Sequence, residues 1–212
     1  MTWKRKIAWA IGAIVLALAL AAAWMLGPAL LPPERVDVGI AVGETAPVDM
    51  QLADSTGSSM TLASSMGEKG MVVFFVRSAD WCPFCKPQLI RTKEIAARIE
   101  AMGYSVAGLS YDQPPQLAVF KAEEEIGFIL ISDQGSALID ALGLREPQYE
   151  AGSFAHGVPR ASILVLARDG TVLEKYVAAD YRSRPSNDDV LEMVRDADAK
   201  NRIAPPAPAQ AP

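Results

Sequence analysis

The sequence predicts an α/β domain with a mixed β-sheet flanked by helices, preceded by one membrane-spanning helix. Strand and helix patterns alternate along residues 71–194, and the last two strand patterns are joined by a hairpin signal at Asp169-Gly170. Strands that alternate with helices pair in parallel, whereas a hairpin makes an antiparallel pair. The predicted order is β-α-β-α-β-α-β-β-α, and the sheet therefore combines both kinds of pairing.

The N-terminal run is predicted to be a transmembrane signal anchor. Residues 7–31 carry no charge, and a helix that rises about 1.5 Å per residue can cross a hydrocarbon core of about 30 Å over such a length. Basic residues lie in the preceding segment 1–6, which places that segment in the cytoplasm and the domain in the periplasm or outside the cell. The alternative is a signal peptide cleaved at residues 19–21, although its apolar part normally has only about 7–15 residues. We expect a single-pass protein of the inner membrane.

The rest of the chain divides into a linker, one domain and a tail. Residues 32–37 form a short linker, and residues 38–200 are expected to fold as one unit. Residues 201–212 are rich in proline and alanine and are predicted to be disordered.

Each element of the domain has its own pattern. Residues 71–76 form a continuous apolar run, which is typical of a strand buried on both faces. Helical periodicity then extends from Pro83 to Met102 and ends at Gly103. The following strand, helix, strand, short helix and strand hairpin are predicted at residues 104–110, 115–127, 128–132, 136–143 and 161–177. Ser186 and Asp189 predict a capping box for the last helix.

Composition restricts the class of protein. Half of the 212 residues are hydrophobic and the formal net charge is −5, of which the first 33 residues contribute only basic side chains. An acidic domain lacks the basic surface that nucleic-acid binding requires. The chain contains only two cysteines and one histidine. A disulfide scaffold and a histidine-rich metal site are therefore both excluded.

The two cysteines lie in "SADWCPFCKPQL", at the end of the first predicted strand, where the next helix begins. At a helix N-terminus, free backbone N–H groups and the helix dipole stabilise negative charge. The Cys82 thiol is therefore expected to have a lowered pKa and to attack a disulfide or a peroxide. Cys85 lies about one turn later and can resolve the product. The alternatives are two buried apolar cysteines, or a zinc site, for which only His156 remains as a further soft ligand.

Two stretches carry a resemblance to a known family. "VVFFVRSADWCPFCKPQL" and "HGVPRASILVLARDGTV" resemble the thioredoxin-like superfamily, and within it the redoxin branch, the peroxiredoxin-like AhpC/TSA family. "VGETAP" at residues 42–47 is similar to the opening of that family before its first hairpin, and the resemblance covers residues 38–198. It implies a thioredoxin-like fold and a thiol-disulfide oxidoreductase that acts through Cys82 and Cys85. The alternatives are a thiol peroxidase with antioxidant activity and a redox-inactive binding module.

The resemblance also implies substrate-binding residues. Val158-Pro159 looks like the cis-proline that faces the CxxC motif in thioredoxin folds, where it exposes a backbone edge to which an extended substrate can pair. Arg160 looks like the arginine of the peroxiredoxin family, and Trp81 is expected to shield the thiols. No cofactor and no metal are implied. The expected partners are protein disulfides or thiols outside the cytoplasm, a membrane electron donor and hydroperoxides.

The active-site motif departs from that of the peroxiredoxins, which carry P-x-x-x-T-x-x-C. If Cys85 takes the place of the peroxidatic cysteine, Cys82 replaces the threonine and Ser78 the proline. If Cys82 takes it, Ala79 and Phe75 occupy those positions. Because neither register keeps the threonine, the sequence favours disulfide exchange over peroxide reduction.

Overall fold

The computed structural model describes Trp3, Trp9, residues 12–17, Ala21 and residues 34–203. The chain divides into two units, residues 1–33 and 34–212. In the first unit, residues 12–17 are helical. No helix among the described residues is long and apolar enough to cross a membrane.

The predicted inner-membrane localisation is corrected by this result. A membrane-spanning helix needs about 20 consecutive apolar residues, and no helix among the described residues meets this requirement. The remainder of the predicted anchor at residues 7–31, apart from Trp9 and Ala21, lies outside the described residues. The membrane electron donor and the periplasmic orientation, which followed from the anchor, lose their support with it.

Residues 34–203 contain seven strands and five helices. The strands are β1 (Leu52–Asp54), β2 (Ser59–Met60), β3 (Gly70–Phe75), β4 (Tyr104–Ser110), β5 (Ile129–Ser132), β6 (Ser162–Ala167) and β7 (Val172–Val177). The helices are α1 (Leu62–Ser65), α2 (Cys85–Ala101), α3 (Pro114–Glu123), α4 (Ala137–Ala141) and α5 (Asn187–Ile203).

The strands form one mixed sheet in the order β2-β1-β5-β4-β3-β6-β7. The central strands β3, β4 and β5 are parallel, and the strands on either side of them pair antiparallel. All six residues of β3 are buried. Alternate β3 residues belong to two separate apolar clusters, one containing Val72 and Phe74 and the other Val73 and Phe75. The sheet therefore separates two core layers, as expected for a strand covered on both faces.

The predicted mixed α/β sheet is confirmed, and most element bounds agree within a few residues. The capping box is confirmed because Ser186 N donates to Asp189 Oδ2 at 2.8 Å and Asp189 N to Ser186 Oγ at 3.2 Å. The segment patterns did not predict β1, β2 or α1. These elements have three, two and four residues, which is too short for a periodic pattern to emerge.

Backbone pairing and helix α5 extend beyond residues 38 and 200, the two predicted boundaries of the domain. Val36 N donates to Val177 O at 2.9 Å and Ala179 N to Glu34 O at 3.0 Å, so the described part of the predicted linker runs alongside β7. At the other end, α5 continues to Ile203. Residues 201–203 of the predicted tail therefore belong to α5, and its remainder, residues 204–212, lies outside the described residues.

Gly70 allows β3 to begin between its two neighbouring strands. It pairs with Tyr104 of β4 and with Ala167 of β6, and its φ is 145°. A Cβ at this position would collide with the backbone carbonyl oxygen of Leu166. A backbone collision of this kind cannot be relieved by a side-chain rotation, so only glycine fits.

We predict that Gly70→Ala lowers the free energy of unfolding by roughly 3 kcal/mol, because it adds steric overlap to an unfavourable φ. Gly127→Ala is the matched control, since a Cβ at Gly127 meets no atom within 4 Å and its φ is not positive. Urea unfolding of both variants measures the difference. Equal effects at the two positions would contradict the prediction.

Candidate active site

The two cysteines form a disulfide at the point where β3 leads into α2. The Cys82–Cys85 pair has a Cα–Cα distance of 5.3 Å, and the two residues are only 1% and 0% exposed. Helix α2 begins at Cys85. The Cys82 carbonyl accepts hydrogen bonds from Cys85 N at 3.2 Å and Lys86 N at 3.3 Å, so the helical hydrogen-bonding pattern starts at Cys82. The predicted position of the pair at a strand-to-helix junction is confirmed.

Asp112, which follows β4, holds the loop that leads into the disulfide. It accepts hydrogen bonds from Ser78 Oγ at 2.8 Å, Ala79 N at 2.7 Å and Ser110 Oγ at 2.8 Å. Ser78 Oγ in turn accepts from Trp81 N at 3.1 Å. Burial raises the pKa of the Asp112 carboxyl, and the hydrogen bonds oppose this rise. The parallel pairing of β3 with β4 places this carboxylate beside the end of β3.

Arg184, in the segment between β7 and α5, contacts the disulfide directly. Its Nη2 lies 3.6 Å from Cys85 Sγ. The guanidinium also donates from Nε to Gln88 Oε1 at 2.6 Å and from Nη1 to Ser183 O at 2.7 Å. Burial lowers the pKa of Arg184 to about 10, so the side chain is a cation at neutral pH.

A second arginine, Arg77, is buried among aromatic rings just after β3. It is 4% exposed. Its guanidinium carbon lies 5.3 Å from the ring centroid of Trp81, 5.2 Å from that of Tyr149 and 4.5 Å from that of Tyr181. Nη2 donates to the Tyr149 hydroxyl, whereas Nε is buried and has no hydrogen-bond partner among the described residues. Cation–π contacts stabilise this side chain without neutralising its charge.

Trp81 lies next to Cys82 and forms one wall of a small cavity. Its Nε1 donates to Tyr111 Oη at 3.2 Å, and its ring meets that of Phe154 edge to face at 5.2 Å. Together with Gln116 and Gly135, these aromatic residues line a cavity of about 380 Å³. The expectation that Trp81 shields the thiols remains a prediction, and its position beside them is consistent with it.

The predicted cis-proline is wrong. No peptide bond among the described residues is cis, including Val158–Pro159. Pro159 forms an antiparallel bridge with Arg145, and Glu146 N donates to Val158 O at 2.9 Å. The backbone edge at this proline is therefore paired within the chain and is not open to an extended substrate, because residues 144–146 already occupy it.

The described contacts of Arg160 include residues Leu144 and Glu146. Its backbone N donates to Leu144 O at 2.6 Å, and its Nη2 lies 3.7 Å from Glu146 Oε1. The described contacts of Val158, Pro159 and Arg160 therefore connect them to the segment 144–146.

Of the side chains near the disulfide, Arg77, Asp112 and Arg184 were missed by the sequence analysis. The one signal available in the sequence was the position of Arg77 inside the motif region. It identifies Arg77 and neither of the other two residues.

The mixed sheet and a buried CxxC disulfide at the start of a helix are features of a thioredoxin-like redoxin domain. The chain belongs to the AhpC/TSA family, whose sequence profile matches residues 42–175. Among curated proteins it is 26% identical over 154 residues to "Peroxiredoxin Bcp" of Escherichia coli, covering 73% of this chain and 95% of that protein. It is 34% identical over 114 residues to "Peroxiredoxin bcp1" of Schizosaccharomyces pombe, covering 54% of this chain and 57% of that protein.

Solved structures support the same fold. Peroxidoxin BcpB from Mycobacterium tuberculosis superposes with a TM-score of 0.61 at 20% identity, covering 78% of this chain and 99% of that chain. Peroxiredoxin Q from Xanthomonas campestris gives a TM-score of 0.61 at 22% identity, covering 76% of this chain and 98% of that chain. The thioredoxin-like fold predicted from the resemblance is confirmed.

Proposed function

We propose that this protein is a thiol peroxidase that reduces hydroperoxides with the Cys82–Cys85 pair. The observation that carries the proposal is a CxxC disulfide at the start of a helix in a domain of the AhpC/TSA family. The relatives that match it are named peroxiredoxins, which favours peroxide as the oxidant over the general disulfide exchange that the motif alone suggested.

The two cysteines complete a balanced reaction. A thiolate attacks one oxygen of the hydroperoxide, the O–O bond breaks, the leaving alkoxide takes up one proton from solvent and departs as the alcohol, and the cysteine becomes a sulfenic acid. The second thiol attacks that sulfur, the hydroxyl leaves as water, and the disulfide forms. A dithiol donor then reduces the disulfide by exchange, giving up two electrons and two protons and becoming a disulfide itself. No cofactor is needed.

Burial of the pair constrains access to it. Because both cysteines are at most 1% exposed in the disulfide form, a reductant reaches sulfur only after neighbouring side chains move. Trp81 precedes Cys82 and Phe84 lies between the two cysteines in sequence, and Phe84 packs edge to face on Tyr181 at 5.6 Å. We therefore propose that Trp81 helps to control access to the disulfide. We also propose that Val158, Pro159 and Arg160 contribute to substrate binding indirectly, because they contact the segment 144–146.

The second candidate is a thiol-disulfide oxidoreductase that acts on other disulfides. It is favoured by Cys82, which occupies the position of the family's threonine if Cys85 is peroxidatic, and by Arg160, whose charge is engaged by Glu146. Peroxide reduction gains from hydrogen-bond donors held beside the thiolate. Losing the threonine removes one of the donors that the family uses.

A single-turnover experiment distinguishes the two functions. The reduced full-length protein is mixed with hydrogen peroxide, cumene hydroperoxide or oxidised glutathione at equal concentration, and the loss of two thiols is followed over time. We expect the hydroperoxides to oxidise the pair faster than the disulfide does. Faster oxidation by glutathione disulfide would favour the second candidate, and no reaction with any oxidant would contradict both.

A further inference from the structure

The loop of residues 147–157, between α4 and β6, carries two aromatic side chains that contact the surroundings of the disulfide. The ring of Phe154 meets that of Trp81 edge to face at 5.2 Å. The ring of Tyr149 lies 5.2 Å from the guanidinium carbon of Arg77. Trp81 and Arg77 belong to the segment that leads from β3 to the disulfide. A displacement of this loop would therefore uncover the approach to the buried cysteine pair.

His156, the only histidine of the chain, joins this loop to the segment before it. Its Nδ1 lies 3.0 Å from Tyr149 O, within the loop, and its Nε2 lies 3.3 Å from Nη1 of Arg145, which precedes the loop. The neighbouring residues Ala155 and Gly157 are buried, whereas His156 is exposed. The backbone at His156 is therefore fixed on both sides, while its ring can exchange protons with solvent.

The two partners decide which nitrogen of the imidazole carries the proton. A backbone carbonyl can only accept a hydrogen bond, and a guanidinium can only donate one. Nδ1 must therefore donate to Tyr149 O, and Nε2 must accept from Arg145 Nη1. Only the neutral imidazole with its proton on Nδ1 can make both bonds, because the imidazolium ion has a donor at each nitrogen.

Arg145 is held as a cation by Asp140 of α4. Its Nε and Nη2 donate to the two carboxylate oxygens of Asp140 at 2.5 and 2.6 Å. These bonds raise the pKa of Arg145 and lower that of Asp140, so both side chains stay charged near neutral pH. Uptake of a proton by His156 on Nε2 therefore removes the acceptor for Nη1. It also leaves two cationic donors facing each other across 3.3 Å.

We propose that His156 is a pH-sensitive positioning residue, which in its neutral form fastens the loop 147–157 over Trp81 and Arg77 and in its protonated form releases it. Histidine changes its charge between about pH 5 and 8, so the loop is held more firmly at the upper end of this range. Release gives a reductant more frequent access to the disulfide, because attack on a buried bond depends on the population of the open form. The consequence for turnover rests on the proposed function, whereas the hydrogen bonds of His156 do not.

Other ionisable groups belong to the segments packed around His156, and they do not restore the lost bond. They are Asp133 and Asp140 before and in α4, Tyr111 at the end of β4, and Glu146 and Glu150 in and before the loop. Arg145, and to a smaller extent His156, holds the pKa of Asp140 below its usual range. Asp140 therefore attracts the protonated ring, but both its oxygens already accept from Arg145.

The three remaining groups are engaged elsewhere or stay neutral, and Glu150 provides a control below. Asp133 accepts from Ile139 N at 2.8 Å. Glu146 Oε1 lies 3.7 Å from Arg160 Nη2. Burial raises the pKa of the Tyr111 hydroxyl, so it does not titrate between pH 5 and 8.

The first test identifies the tautomer by NMR and uses no peroxide. Because the chain has a single histidine, the long-range ¹H–¹⁵N spectrum of the full-length protein without an affinity tag reports His156 alone. At pH 8 we expect a protonated Nδ1 and an unprotonated Nε2. Arg145→Met removes the donor to Nε2 and should increase the fraction of the tautomer protonated on Nε2. A majority of that tautomer in the native protein overturns the inference.

The second test follows reduction of the disulfide by a water-soluble phosphine at pH 5.5 and pH 8, with the free thiols counted by alkylation and mass spectrometry. The native protein is compared with His156→Gln, whose side chain is polar but does not titrate. Dividing the pH 5.5 to pH 8 rate ratio of the native protein by that of the variant cancels the pH dependence of the phosphine. We expect a quotient of roughly two to five, as for the loss of one exposed hydrogen bond. A quotient of one overturns the inference.

Controls separate this effect from a general response to acid. Glu150→Gln removes an exposed titratable group from the same loop and should keep the quotient of the native protein. Arg145→Met should accelerate reduction at pH 8, because it removes the bond to His156 without a change of pH. If Arg145→Met does not fold, the tautomer of the native protein and the comparison of His156→Gln with Glu150→Gln decide.

The outcomes distinguish this inference from the proposed function. The expected quotient in a protein that does not turn over hydroperoxides would contradict the peroxidase and leave the role of His156 standing. Peroxide turnover with a quotient of one would do the reverse.

Discussion

Cys85→Ser is expected to lower the rate of peroxide reduction by roughly three orders of magnitude, because Cys85 is the cysteine whose sulfur Arg184 contacts at 3.6 Å, and an adjacent cation favours the attacking thiolate. Cys82→Ser should have a different effect, since it removes only the resolving thiol. Its first oxidation should proceed, and the sulfenic acid on Cys85 should persist because no disulfide can form. Stopped-flow oxidation by hydrogen peroxide measures the first step, and labelling with dimedone followed by mass spectrometry detects the sulfenic acid.

The pair of variants also decides between the two possible orders of reaction. The sequence alone predicts that Cys82→Ser abolishes exchange and that Cys85→Ser traps mixed disulfides. The contact between Arg184 and Cys85 at 3.6 Å predicts the opposite. A sulfenic acid that accumulates on Cys82 in Cys85→Ser, at the rate of the native protein, would restore the order predicted from the sequence.

Asp112→Ala is expected to lower the free energy of unfolding by roughly 3 kcal/mol, because it leaves buried donors without an acceptor. The donors are Ser78 Oγ, Ala79 N and Ser110 Oγ, each within 2.8 Å of a carboxylate oxygen. Ser78 and Ala79 belong to the loop that leads into the disulfide. Because the substitution removes the hydrogen bonds that hold this loop, it should also slow oxidation of the two thiols. Asp80→Ala is the control, because Asp80 is exposed in the same loop and its carboxylate accepts a hydrogen bond from half-buried Gln116. Urea unfolding compares the two.

The Asp112 carboxyl also predicts a pH dependence. Burial raises its pKa in the folded protein, so the folded state binds the proton more tightly than the unfolded state. Its contribution to stability is therefore fully present below the unfolded value of about 3.9 and falls as the pH rises through the higher folded pKa. Asp112→Asn removes this titration. The loss of stability caused by Asp112→Asn should be larger at pH 4 than at pH 7, and an equal loss at both would contradict the raised pKa.

The fold was largely predictable because its signals are local. Strand β3 is a continuous apolar run, and α5 begins with a capping box, Ser186 with Asp189, that the structure contains. The hairpin between β6 and β7 turns at Asp169-Gly170, where Gly170 has a φ of 88°. Each of these features depends on residues within about one helical turn or strand of one another, so periodicity and turn chemistry are sufficient to identify them.

The cis-proline prediction failed because it depended on a partner distant in sequence. Val158 and Pro159 carry no local signal that residues 144–146 will pair with them. The membrane prediction failed for a different reason. It was inferred from hydropathy alone, and no helix among the described residues reaches the length that a spanning segment needs.

The sequence by itself determined the α/β class, the family and the position of Cys82 and Cys85 at the junction between a strand and a helix. Only the tertiary structure decided which charges surround them. Asp112 reaches the loop because β4 pairs in parallel with β3, and Arg184 reaches Cys85 across 99 residues of chain. Contacts of such separation are set by the packing of the sheet and its helices and leave no periodic trace in the residues that make them.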